Sequence, residues 1–121
     1  MENELKKQNC PCCKLPTISK LGVSETCPVC EWRDDGKSTE NTDEVIGTNG
    51  DYSLTKATKN FNRTKFMYSK SDSSIPNNPT FLRLQEELIE LYGEFSGDIN
   101  LNVYKFIQEV ENKKQVTPKY N

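Results

Sequence analysis

All five cysteines of the chain lie in one stretch, CPCCKLPTISKLGVSETCPVC from Cys10 to Cys30, with a Cys-Pro-x-Cys unit at each end. Taken as Cys10, Cys13, Cys27 and Cys30, the spacing is C-x2-C-x13-C-x2-C. An x2 gap lets one tight turn aim two sulfurs at a single ion, and zinc accepts four thiolates tetrahedrally. Pro11 and Pro28 fix φ within those turns. Between the pairs, LPTIS and VSET tolerate extended backbone and are joined through Lys20-Leu21-Gly22, which predicts a hairpin with a cysteine pair at either end. This is the layout of a zinc ribbon.

Two other uses of the cysteines compete with that reading. Five is an odd number, so a disulfide framework leaves one thiol over. MENELKKQNC carries no apolar run of the signal-peptide kind and no stretch reaches the length of a membrane span, so the expected compartment is the reducing cytoplasm. CPVC by itself would pass for a redox pair, but the surrounding βαβ pattern is lacking and one shared ion better explains the duplicate pair. Cys12 raises a choice of first pair, Cys10 with Cys12 or Cys10 with Cys13. The second needs no distortion, and Cys12 is read as a small side chain packed against the turn rather than a reactive thiol.

The chain has no histidine. The ligand set is therefore all cysteine, and four protein ligands leave no open position for a catalytic water, so the ion is expected to be structural. Iron uses the same sulfur geometry and stays open beside zinc. No acid, base and nucleophile set stands out, so an enzyme is not expected. Leu, Ile, Val and Phe make up only 26 of 121 residues. Metal binding of the kind worth about 10–16 kcal/mol in small zinc domains should then be coupled to folding of so thin a core.

Downstream, Trp32 is large enough to cover the sulfurs and is read as core. Asp34 to Asp51 is a polar loop without calcium-loop spacing, and Asn49-Gly50 makes a turn. Ser53 caps a helix that places Leu54, Ala57 and Phe61 on one face. NFNRTKFMYSK interleaves Arg63, Lys65 and Lys70 with Phe61, Phe66 and Tyr68, the best local candidate for a nucleic-acid strip, and is read instead as helix end and core. SKSDSSIPNNP is polar and proline-bounded. Asn78 and Pro79 then open a helix with Phe81, Leu84, Leu88, Leu91, Tyr92 and Phe95 on one arc. Ser96-Gly97-Asp98 breaks it. Ile99, Val103, Tyr104, Ile107 and Val110 form a second stripe, with Lys113 and Lys114 at the negative end of the helix dipole.

The expected fold class is α+β: a small four-cysteine zinc ribbon with a packed helix, followed by a C-terminal α-helical hairpin. The expected divisions are 1–68 for the cysteine-rich module, 69–79 for a linker and 80–121 for the hairpin.

On the outer face of the first hairpin helix Glu86, Glu90 and Glu94 repeat at i, i+4 and i+8, and like charges so spaced cost on the order of 0.2–0.5 kcal/mol per pair. A basic partner would offset that cost, and Leu82 and Ile89 beside the arc offer it apolar surface. Nucleic acid is less favoured: Lys and Arg total 16 against 18 Asp and Glu, and no basic run exceeds two residues.

CPCC, then CPVCEWRDDG, then GTNGDYSLTKATKNF resemble, in that order and at similar spacing, the bacterial cysteine-rich CPCC family. Lys14 stands where that family often has glycine, and Glu31 and Arg33 flank Trp32 in place of a more apolar and a more acidic neighbour. The resemblance implies a small zinc-ribbon protein with no known catalytic activity and, by analogy with proteins encoded near toxins, an immunity role. The expected function is a metal-stabilised protein-binding module that neutralises a cognate, basic bacterial toxin by occlusion. The alternative is a nucleic-acid-binding zinc ribbon with a regulatory role.

Overall fold

A computed structural model describes residues 7–94 and 100–121. Strands β1 (Glu25–Thr26) and β2 (Arg33–Asp34) form an antiparallel pair, with Glu25 opposite Asp34 and Thr26 opposite Arg33. Helices α1 (Leu54–Thr64), α2 (Pro79–Glu94) and α3 (Leu101–Val116) follow. The α+β architecture expected from the sequence is present: a small hairpin, a first helix, then two helices in contact.

LPTIS and VSET do not pair with each other, although VSET supplies β1 and LPTIS supplies Ile18 to a separate bridge. Pairing occurs across each cysteine pair, by β1 with β2 around Cys27 and Cys30 and by a Gln8–Ile18 bridge around Cys10 and Cys13. The reason is local: the residue after each second cysteine, Lys14 or Glu31, takes a positive φ of 67° or 72° and reverses the chain, so the arms flanking each pair come alongside one another. The interval between the pairs turns instead on Glu25, whose carboxylate accepts from Ser19 N at 2.9 Å and Lys20 N at 3.2 Å.

The polar loop is held by side chains that imitate backbone. Asn49 Oδ1 accepts from Arg33 N and its Nδ2 donates to Arg33 O, both at 2.8 Å. Asp35 accepts from Lys37 N and Thr48 Oγ1, and the Thr48 bond holds its carboxyl below the usual range. The buried Asp34 accepts from Gly22 N and Gly36 N. A side chain on Gly36 would meet Gly22 Cα at 3.1 Å, so the two loops touch through glycine.

Ser53 caps α1 by accepting from Lys56 N at 3.1 Å, and α1 buries Leu54, Ala57 and Asn60, leaving Phe61 half-buried. Asn78 Oδ1 accepts from Thr80 N, opening α2 at Pro79. The break expected at Ser96-Gly97-Asp98, with Phe95 and Ile99 beside it, lies outside the described residues. Asn100 caps α3 by accepting from Val103 N. Tyr92 OH donates to Glu111, and Gln85 lies against Lys114, so α2 and α3 run antiparallel.

One cluster of buried side chains joins the cysteines, Ile18, Val29 and Trp32 to Leu54 and Ala57 of α1, Leu88, Leu91 and Tyr92 of α2, and Ile107 and Val110 of α3. The stretch 69–79 is anchored at several points. Tyr52 OH bonds Asp72 and Ser69, while Asn77 N and Asn78 N both donate to Lys119 O, at 2.9 and 3.0 Å.

Candidate metal centre

The two cysteine turns are built alike, 17 residues apart. Cys10 N donates to Leu15 O and Cys27 N to Trp32 O, both at 2.8 Å; Lys14 N donates back to Cys10 O and Glu31 N to Cys27 O. Each turn places its two cysteines on the same side, and the two turns face each other. The sulfurs of Cys10, Cys13, Cys27 and Cys30 all lie within 4.8 Å of one another, and all four residues are buried. Cys10 and Cys30 approach to 3.5 Å and Cys13 and Cys27 to 3.8 Å, with no disulfide among the five cysteines.

Four thiolates at about 2.3 Å from a central zinc stand about 3.8 Å apart along each tetrahedral edge. Two of the sulfur pairs are already near that separation and all four sulfurs lie within 4.8 Å, so the cage has the size of a site for one tetrahedral ion. Backbone amides complete the sulfur environment: Val29 N and Cys30 N point at Cys27 Sγ, and Trp32 N at Cys30 Sγ, at 3.4–3.5 Å. Thr17 Oγ1 lies 3.0 Å from Cys27 Sγ. These contacts favour negative charge on sulfur. Burial opposes ionisation of Cys27, but hydrogen bonds from Cys10, Cys13, Cys30 and Thr17 outweigh it and hold that thiol well below its ordinary value. Its neighbours go the other way, Cys13 raised chiefly by its bond to Cys10, and Cys30 by burial.

Cys12 is buried and is not one of the four clustered sulfurs, although its thiol lies close enough to Cys30 to help raise that thiol. It stands in the first turn where Val29 stands in the second, also buried. Trp32 is core, as expected, and its Nε1 has no hydrogen-bond partner among the described residues.

The acidic arc is only partly unpaired. Glu86 binds Lys65 Nζ, an ion pair that sequence spacing along α2 could not show because Lys65 belongs to the end of α1. Glu90 and Glu94 are exposed and make no ion pair among the described residues, and Leu82 and Ile89 are half-buried beside them. In the NFNRTKFMYSK stretch Phe66 is buried against Phe81, Lys65 is taken by Glu86, and Tyr68 OH donates to Glu31.

Gln85, which the sequence reading passed over, and Lys114, which it placed only at the end of the helix dipole, lie behind the second turn. Gln85, 1% exposed, donates to Val29 O and Lys65 O at 2.7 and 2.6 Å. Lys114, 5% exposed, donates to Pro28 O at 2.7 Å and to Gln85 Oε1. Lys114 is therefore not a solvated charge at a helix end, and burial pushes its ammonium down to about 8. The signal was phase: Phe81, Gln85, Leu88 and Tyr92 share one face of α2, and Val103, Ile107, Val110 and Lys114 one face of α3.

No helix among the described residues is long and apolar enough to cross a membrane. Comparisons with curated proteins and with solved structures returned no match. The description "Cysteine-rich CPCC" matches residues 8–77, which include both cysteine turns, the polar loop and α1. With more than half its length matched and its four paired cysteines gathered into one metal-sized cage, the chain belongs to the cysteine-rich CPCC family.

Proposed function

We propose that the protein is a zinc-stabilised, non-enzymatic binding module of the bacterial cytoplasm, an immunity-type protein that neutralises a cognate basic toxin by covering its working surface. The observation that carries the reading is the closed cage: four buried sulfurs fill a tetrahedral ion's coordination and leave no position for substrate or water. Zinc is favoured over iron because a structural all-thiolate site needs no redox chemistry. What the cage stabilises is a surface, and the part of it assigned to the partner is Glu90 and Glu94, which make no ion pair among the described residues, beside Leu82 and Ile89. Glu86 joins that surface with its charge shared with Lys65. The nucleic-acid alternative has less support, because the aromatic rings of its best strip are engaged in the core.

Elemental analysis should find one zinc per chain, lost in Cys27→Ala. The doubly reversed variant Glu90→Lys/Glu94→Lys should keep its zinc and fold, lose at least tenfold in affinity for a cationic protein partner captured from the native cell, and bind with weaker salt dependence. Unchanged partner affinity would remove α2 as the contact. Stronger binding to RNA or DNA alone would favour the nucleic-acid reading.

A further inference from the structure

The two cysteine turns share one more feature, and it concerns charge. In the first, Lys14 Nζ donates to Pro11 O at 2.7 Å; in the second, Lys114 Nζ donates to Pro28 O, also at 2.7 Å. Pro11 and Pro28 are equivalent positions, each directly after the first cysteine of its pair. An ammonium group therefore sits on the same carbonyl of both turns. One comes from within its own turn and is exposed; the other comes from 86 residues away and is buried.

A buried ammonium needs a counter-charge. Glu31 and Glu111 line the same cleft as Lys114; Glu31 is paired with Lys119 at 3.2 Å and accepts from Tyr68 OH, and Glu111 accepts from Tyr92 OH. Among the described residues Lys114 forms no ion pair at all; its partners are a carbonyl, an amide oxygen and the face of Phe81 at 5.2 Å. The cleft that Lys114 shares with Glu31 and Glu111 has a volume of about 490 Å³ and is also lined by Cys27 and Pro28. Four thiolates around one divalent cation carry a net charge of about −2. A filled cage is then an anion one residue from the carbonyl that Lys114 binds, beside the carboxylates of Glu31 and Glu111.

We propose that Lys114, seated by Gln85 and Pro28, is the outer-shell cation of the thiolate cage: a positioning residue, supplied by the C-terminal helix from outside the matched family segment, that stabilises the metal-bound, dianionic form. Lys14 is its exposed counterpart and is screened by solvent. The inference rests on the metal-binding reading above and adds a residue to it.

Outer-shell partners of metal ligands are typically worth 10–100-fold in metal affinity. Zinc affinity is measured on the full-length protein by competition with a chelator of known strength, and the midpoint potential is measured on the iron-substituted protein. In Lys114→Met zinc affinity should fall about 10–100-fold. The ferric/ferrous potential should shift downward, because reduction adds negative charge to a cage that has lost its cation. A lysine acting only as a brace would not move the potential, so lowered zinc affinity with an unmoved potential overturns the proposal, as does unchanged affinity. Lys114→Gln keeps a donor in reach of Pro28 O while removing the charge, and the same two measurements on it decide the matter where the methionine variant does not fold. A wild-type protein that binds neither ion would instead overturn the metal-binding reading on which this one stands.

Discussion

Cys10–Leu15 and Cys27–Trp32 make the same two backbone hydrogen bonds and the same left-handed step, yet they are kept in place by different parts of the molecule. The outer side of the first turn is held by its own Lys14. The second is held by Lys114 on Pro28 O, Gln85 on Val29 O and Met67 N on Cys30 O, so three of its carbonyls are bound by residues far along the chain. One local motif, used twice, is thus in one copy a product of nearby sequence and in the other a docking face for the helices. The lesson is that a metal-binding turn has spare carbonyls, and where they point decides whether the rest of the fold senses the metal.

The largest expected contrast appears on metal removal. With chelator, hydrogen exchange at Lys14 N should rise toward the unprotected rate. Glu31 N and Met67 N should stay at least tenfold slower, since three tertiary hydrogen bonds at about 1 kcal/mol each remain to hold the second turn. Equal loss of protection at the two turns would break the comparison.

A smaller contrast is expected at the equivalent buried positions. Val29→Ala removes packing between the second turn and the helices and should cost about 2–3 kcal/mol in denaturant unfolding. Cys12→Ser buries a hydroxyl in the first turn and should cost about 1–2 kcal/mol. Zinc content should be unchanged in both variants. Loss of the ion in Cys12→Ser would mean that the first pair is Cys10 with Cys12.

The smallest effects should differ in sign. Lys14 and Glu31 hold nearly the same positive φ, a conformation that glycine adopts without strain. Lys14→Gly should leave stability unchanged or raise it by up to about 1 kcal/mol. Glu31→Gly should lower it by about 1 kcal/mol, because Glu31 also binds Tyr68 and Lys119. Thermal unfolding of the two variants side by side would sharpen the contrast, and a matching gain in both would remove it.

The cage was legible because spacing alone limits where four cysteines can meet, and the three helices because their caps and apolar phases agree: Ser53 with Leu54 and Ala57, Asn78 and Pro79 with Phe81 and Leu88. The ladder was misplaced because β-tolerance in LPTIS and VSET is a weaker determinant than a left-handed residue directly after each second cysteine, and neither Lys14 nor Glu31 advertises that conformation by its side chain. The partner of Glu86 could not be read from spacing, because only residues on its own helix can be counted that way and Lys65 reaches it from another element. Gln85 and Lys114 lay in phase with their apolar stripes, but a polar residue at a core phase signals burial only once its partner is known, and each is the other's partner.

The distance along the chain between Pro28 and Lys114 also sets an order of events during synthesis. All four cage cysteines leave the ribosome before the helices, and the ammonium that closes over the second turn is 86 residues behind the carbonyl it binds. At roughly 5–20 residues per second that separation lasts about 4–17 s. That interval is long enough for a nascent chain to capture an ion before α3 arrives, so the C-terminal helix is placed to act as a latch rather than as a scaffold for loading.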